Sequence, residues 1–273
     1  MIESVAGADL FYTTRGQGPA CLVLSSIGTA PYERQMPRAL DERLRLVFVD
    51  LRGSGRSTGR AADLTFDVLA DDLEAIRRAL GLPRVAVLGH SILGVPAIEY
   101  GRRRPDTVSH VIAVGTPPSG DMAAMVAASQ AFFAADASED RRRVLQENLA
   151  KLPPGAPPAA FVLAQTPMRF SEPRFDAAPL FEGAIARPDA LAHIMGALVS
   201  GWDVTAGART QVRPLLLAHG RHDYVVPHVL WDGVVGALPR TTFHLFEQSG
   251  HQPFVEEPER FAEVVTGWMS AVA

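Results

Sequence analysis

Short apolar runs alternate with longer amphipathic stretches along most of the chain. Ile2–Val5 and Leu10–Thr14 read as a hairpin turned at Gly7-Ala8-Asp9. Ala20–Leu24 and Leu44–Asp50 follow as strands, the second ending in a glycine-rich turn. Over Thr65–Leu80, Leu69, Leu73, Ile76 and Leu80 recur at helical spacing. Thr65 can cap that helix at its start, and Gly81 follows its end. Val85–Gly89 and Val108–Val114 are further strands, with a helix after Ser91 between them. Pro214–His219 and Thr241–Phe246 are the last strands. Pro258 then opens a helix with Phe261, Val264, Val265 and Trp268 on one face.

Apolar strands alternating with amphipathic helices predict an α/β fold, a largely parallel sheet covered on both faces. The alternation stops between about Pro118 and Ala206, where helices with proline-bearing joints are expected and Ser138-Glu139-Asp140 marks one start. This divides the chain into a core of residues 1–117 and 206–273 and a helical insertion of residues 118–205. Such an insertion is best placed as a cap over the carboxyl edge of the sheet, where sites on these folds lie.

Composition narrows the function. The chain has 273 residues, 47% apolar, enough to bury a large core. Its formal net charge is −4 and no basic stripe is visible, which argues against nucleic acid or an anionic membrane as partner. No apolar run reaches the ~18 residues of a bilayer span, so a cytoplasmic protein is expected. Lys151 is the only lysine and precedes a proline-rich loop, a poor setting for amine catalysis. Cys21 is the single cysteine and lies in an apolar strand, as an inert thiol would.

Three places could carry chemistry. Ser91, in Gly89-His90-Ser91, follows a short strand and opens a helix, the sharp turn that exposes a serine nucleophile. A helix-capping serine would look similar. Asp223 lies just past the strand that ends at His219 and can orient an imidazole, although a turn or cap aspartate also fits there. His251 follows Gly250 in the loop after the last strand and is the histidine best placed to act as a base. His90 is a poor base for its own neighbour, and His110 and His244 sit within strands. His219, His222, Asp223 and His228 could be read as metal ligands, but their spacing matches no closed zinc pattern, and no metal is expected. Backbone N–H groups of Ile92 and Ile27 are the expected oxyanion donors.

The order Ser91, Asp223, His251, with Asp50-Leu51-Arg52-Gly53-Ser54-Gly55-Arg56-Ser57 after the fourth strand, resembles the α/β-hydrolase superfamily. Within it the chain is similar to capped esterases, lactonases and proline iminopeptidase-like enzymes. The resemblance implies an eight-stranded sheet, a helical cap, and Ser91, Asp223 and His251 as nucleophile, orienting acid and general base. Ser25-Ser26 stands where His-Gly is usual, and Leu93 stands where the elbow has its second glycine. The glycine-rich oxyanion loop typical of proline iminopeptidases is missing. A serine at position 91 separates the chain from the dehalogenase and epoxide hydrolase branches, which use aspartate.

The expectation is a serine hydrolase that cleaves a carboxylic ester or lactone of a small to medium apolar substrate through an acyl-enzyme, without a cofactor. An N-terminal peptidase and a ligand-binding receptor that retains the site are the alternatives. Met122, Phe132, Phe161, Met168 and Phe254 are the candidate substrate contacts, and packing within the cap would explain the same residues. The partner expected is a small-molecule substrate. Nothing in the sequence speaks to oligomeric state.

Overall fold

The computed structural model describes residues 1–272. Eight strands form one sheet in the order β1-β2-β4-β3-β5-β6-β7-β8. They are β1 (Ile2–Val5), β2 (Ala8–Arg15), β3 (Ala20–Ser25), β4 (Arg45–Asp50), β5 (Val85–His90), β6 (Val108–Val114), β7 (Leu215–Gly220) and β8 (Thr241–Phe246). β2 pairs antiparallel with both β1 and β4, and every other pairing is parallel. The first hairpin turns on Ala6-Gly7 alone, so β2 begins two residues before the expected Leu10.

The central strands are buried along their whole length because both faces are covered. Side chains alternate between the faces. Leu22, Leu24, Val47, Val49, Val87, Val111 and Leu217 meet α2 (Phe66–Ala79) and α3 (Gly94–Arg103) on one side. Cys21, Val23, Phe48, Leu88, Ile112 and Leu216 meet α1 (Thr29–Gln35) and α10 (Pro258–Ala271) on the other. Cys21 is a free, fully buried thiol whose burial pushes its pKa up to about 12. The Thr65 hydroxyl caps α2 by accepting from Val68 N–H, as its position predicts.

Helices occupy the stretch between β6 and β7. These are α4 (Met122–Asp136), α5 (Glu139–Ala150), α6 (Pro158–Ala164), α7 (Thr166–Arg169) and α8 (Pro188–His193), which runs on into a π-helical turn, Ile194–Leu198. Ser138 caps α5 by accepting from Arg141 N–H. An isolated bridge, Ser119 to Asp203, ties the two ends of this stretch together. Gly120 N–H donates to the Trp202 carbonyl (2.7 Å) and Val204 N–H to the Pro118 carbonyl (2.9 Å). The inserted helices therefore leave and rejoin the sheet at one narrow stem. A short helix the sequence reading missed, α9 (Pro253–Glu256), follows the loop after β8.

The loop after β4 is scaffolding. Arg52 makes a bidentate, buried pair with Asp72 of α2 (3.0 and 2.6 Å), and the Ser57 hydroxyl donates to the Asp50 carbonyl (2.6 Å). The motif that helps mark the family thus locks the β4 exit against α2.

Among the described residues no helix is long and apolar enough to cross a membrane.

Candidate active site

Parallel strands β5, β6 and β7 end side by side, and their carboxyl ends carry the candidate groups. β5 runs directly into Ser91, whose φ of 57° places a residue with a side chain in the left-handed region. That conformation costs about 1–2 kcal/mol and lifts the serine out of the strand–helix line. Only Ser91 and Arg240 among the described non-glycine residues have positive φ.

The elbow explains why Leu93 can replace glycine. A Cβ on Gly94 would lie 1.9 Å from Thr116 Oγ1, so the close approach of α3 to the β6 exit falls at position 94. Leu93 points instead into the core, 2% exposed. Thr116 Oγ1 donates to the Ser91 carbonyl (3.0 Å), fixing the elbow from the neighbouring strand.

Asp223 and His251 are brought together from the loops after β7 and β8. His251 Nδ1–H donates to Asp223 Oδ2 at 2.7 Å, with both side chains buried. The other carboxylate oxygen, Oδ1, accepts from Val225 and Val226 N–H (2.9 and 2.8 Å). The acid is therefore fully coordinated and holds the imidazole with Nε2 free for a proton. Gly115, with φ of 55°, makes room for the ring: a Cβ there would sit 2.9 Å from His251 Nδ1. Among the described residues neither Ser91 Oγ nor His251 Nε2 takes part in a hydrogen bond. Such contacts are often long without substrate and tighten when it binds.

His90, set aside as a base, has a different place. Its ring lies 4.7 Å from that of His251, and its Nε2 is 2.9 Å from the His251 carbonyl. Burial, reinforced by the nearby His251, pushes the His90 pKa well below its ordinary value. The His251 N–H donates to the Arg169 carbonyl of α7 (2.6 Å). Glu256 Oε2 accepts from Gly250 N–H (2.7 Å), while its Oε1 accepts from the Ser171 N–H and hydroxyl (2.6 and 2.7 Å). The His251 loop is thus clamped by the elbow, by the inserted helices and by α9.

Arg169 was invisible to sequence reading, being one of many arginines. Its Nε is buried without a partner, and its guanidinium joins no ion pair among the described residues. Burial lowers its pKa, with the Asp223 charge acting in the opposite direction.

The two expected oxyanion donors differ. Ile92 N–H lies in the first turn after Ser91, where helical N–H groups have no internal acceptor. Ile27 N–H makes a long bond to Ser25 Oγ (3.3 Å), and that hydroxyl donates to the Gly28 carbonyl (2.7 Å). Ser25 therefore closes the turn that a glycine-rich loop would otherwise shape. The Ile27 carbonyl accepts from Ile185 N–H (2.7 Å), joining this loop to the inserted helices.

The candidate substrate contacts scatter. Met122 and Met168 are half-buried on α4 and α7. Phe132 packs against Tyr224 and His228, with ring centroids 5.4 and 5.3 Å away. Phe161 is 46% exposed on the outer surface, and Phe254 is fully buried against His90, Tyr32 and Phe261. Sequence alone could not tell an apolar residue that supports the elbow from below, as Phe254 does, from one that faces a ligand. The alternative metal set does not gather: among the described residues no three histidine, cysteine or carboxylate side chains converge as ligands.

Comparison with known proteins places this geometry. The family model described as alpha/beta hydrolase fold matches residues 22–258. The chain is 31% identical over 272 residues to the AB hydrolase superfamily protein YclE of Bacillus subtilis (strain 168), covering 96% of each. It is 28% identical to the pimeloyl-[acyl-carrier protein] methyl ester esterase of Vibrio vulnificus (strain YJ016), covering 93% of this chain and 95% of the relative. The crystal structure of the proline iminopeptidase of Mycobacterium smegmatis superimposes with a TM-score of 0.75 at 21% identity, over 99% of this chain and 97% of that one. The sheet order, the strand-end loops and these matches agree, and the chain belongs to the α/β-hydrolase family.

Proposed function

We propose that the protein is a serine hydrolase that cleaves carboxylic esters or lactones through an acyl-enzyme. The observation that carries this reading is the 2.7 Å bond from His251 to the buried Asp223, beside a serine held in a left-handed turn. In the proposed reaction Ser91 Oγ bonds to the substrate carbonyl carbon as its proton passes to His251 Nε2. Asp223 stabilises the resulting imidazolium, and the Ile92 N–H receives the oxyanion, joined by the Ile27 N–H when its long 3.3 Å bond to Ser25 Oγ gives way. His251 returns the proton to the departing alkoxide. Water then repeats the cycle, giving its proton to His251 and releasing the acid.

An ester or lactone is favoured over a peptide with a free amino terminus. The loop after β3, Ser25-Ser26-Ile27-Gly28-Thr29, lacks the glycine-rich segment typical of proline iminopeptidases. The esterase named among the relatives supports the same substrate class.

Short p-nitrophenyl esters compared with aminoacyl arylamides test the reading. Ester turnover should be measurable and should fall on the order of 10⁶-fold in Ser91→Ala. Arylamides cleaved faster than esters would overturn it in favour of a peptidase.

A further inference from the structure

At the opposite end of the molecule the amino ends of β3 to β8 and helix α10 enclose a cleft of about 640 Å³. Arg43, Arg84, Arg213 and Arg240 line it, each close to the start of a different strand. No aspartate or glutamate lines it, and none of the four joins an ion pair within 4.0 Å among the described residues. Several arginines elsewhere in the chain are paired. Arg52, Arg77, Arg102 and Arg103 have carboxylate partners, whereas Arg45, Arg56 and Arg78, like the cleft arginines, have none among the described residues. The acids of the neighbouring groove, Glu42, Glu259 and Glu263, lie outside the cleft, and Glu263 pairs with Arg260.

Two buried polar groups in the cleft are also unpartnered. His110 is 7% exposed, and neither ring nitrogen makes a hydrogen bond; the Met269 carbonyl lies near the ring but outside bonding geometry. Arg213 Nε is likewise buried and unbonded. Buried polar groups are ordinarily satisfied, so each such group needs an explanation. Arg240 additionally holds a φ of 54°, a strained conformation for a residue with a side chain. Arg84 and Arg213 both act electrostatically on His110, while Arg43 and Arg240 stand exposed at the two ends of the cleft.

We propose that this cleft binds a phosphorylated small molecule with an organic body, at a site separate from the catalytic edge. Guanidinium groups recognise phosphate through paired hydrogen bonds. Ser109, Thr266 and Ser270 supply hydroxyls around the same space. Leu44, Met269 and Val272 give the organic part an apolar wall. The volume lies within the range of small-molecule sites.

Calorimetric titration of the whole protein with ATP, pyrophosphate and adenosine, without metal and at low ionic strength, tests this. ATP should bind saturably, more tightly than pyrophosphate, and adenosine should not bind. Arg84→Gln combined with Arg213→Gln should weaken ATP about tenfold or more. The apo form of that variant should melt close to wild type, because neither arginine has an ion pair to lose, and should keep its ester hydrolysis. Ser91→Ala should bind ATP as wild type does, which separates this site from the catalytic one. Absence of saturable ATP binding, or unchanged affinity in the double variant, overturns the proposal. A double variant that melts well below wild type also overturns it, because the arginines would then be structural.

Discussion

His90 Nε2 lies 2.9 Å from the carbonyl oxygen of His251. A carbonyl only accepts, so His90 carries its proton on Nε2, and its Nδ1 accepts from the Tyr32 hydroxyl (3.1 Å). The residue before Ser91 thus positions the backbone of His251, the proposed base. Replacing His90 with leucine removes this tether. We expect kcat for esters to fall about 10- to 100-fold, the scale of a small misplacement, with KM little changed. Tyr32→Phe should cost only about 1 kcal/mol of stability. Equal losses in kcat and in fold stability for both variants would show that His90 only supports packing.

Ser91 pays for its exposure with backbone strain, since its φ is 57°. Ser91→Gly should therefore abolish turnover while raising unfolding free energy by about 1 kcal/mol. Chemical denaturation measures it, and a destabilised glycine variant would contradict the strain.

Much of the scaffold was legible in the sequence. Continuous apolar runs and period-3.6 patterns set the strands and helices because burial on two faces leaves few alternatives for Val85–His90 or Leu215–Gly220. Asp223 and His251 were legible because strand-end loops in a parallel sheet converge on one edge. The clamps on that edge were not. The Arg169 carbonyl, the Ile185 N–H and the Glu256 carboxylate meet His251, Ile27 and Ser171, all far away in sequence, and no local pattern encodes such a meeting. Phe161 and Phe254 show the same limit, since apolar character does not reveal which surface a side chain meets.

Two glycines separate crowding from conformational entropy. Gly94→Ala would place a methyl 1.9 Å from Thr116 Oγ1, so it should destabilise by about 1–3 kcal/mol and disturb the elbow. Gly267, exposed within α10 with nothing near its position, should gain about 0.5–1 kcal/mol as alanine. Melting curves of both variants check the pair.

His219 is fully buried between Trp231 and Phe243, and burial pushes its pKa down to about 4. Below its ordinary value of about 6.5, the unfolded chain binds a proton that the folded chain refuses. The stability from this group is therefore complete above about 6.5 and is lost as pH falls towards about 4. Relative to His219→Phe, wild type should lose about 2–3 kcal/mol between roughly pH 7.5 and 4.5. A stability difference between the two proteins that stays constant with pH would contradict the buried, neutral state.

Reaction with a fluorophosphonate, followed by peptide mass spectrometry, is the most direct test of the nucleophile. Wild type should be labelled stoichiometrically at Ser91, and His251→Ala should react at least about 100-fold more slowly. Labelling elsewhere, or equal rates with and without the His251 imidazole, would show that Ser91 is not an activated nucleophile.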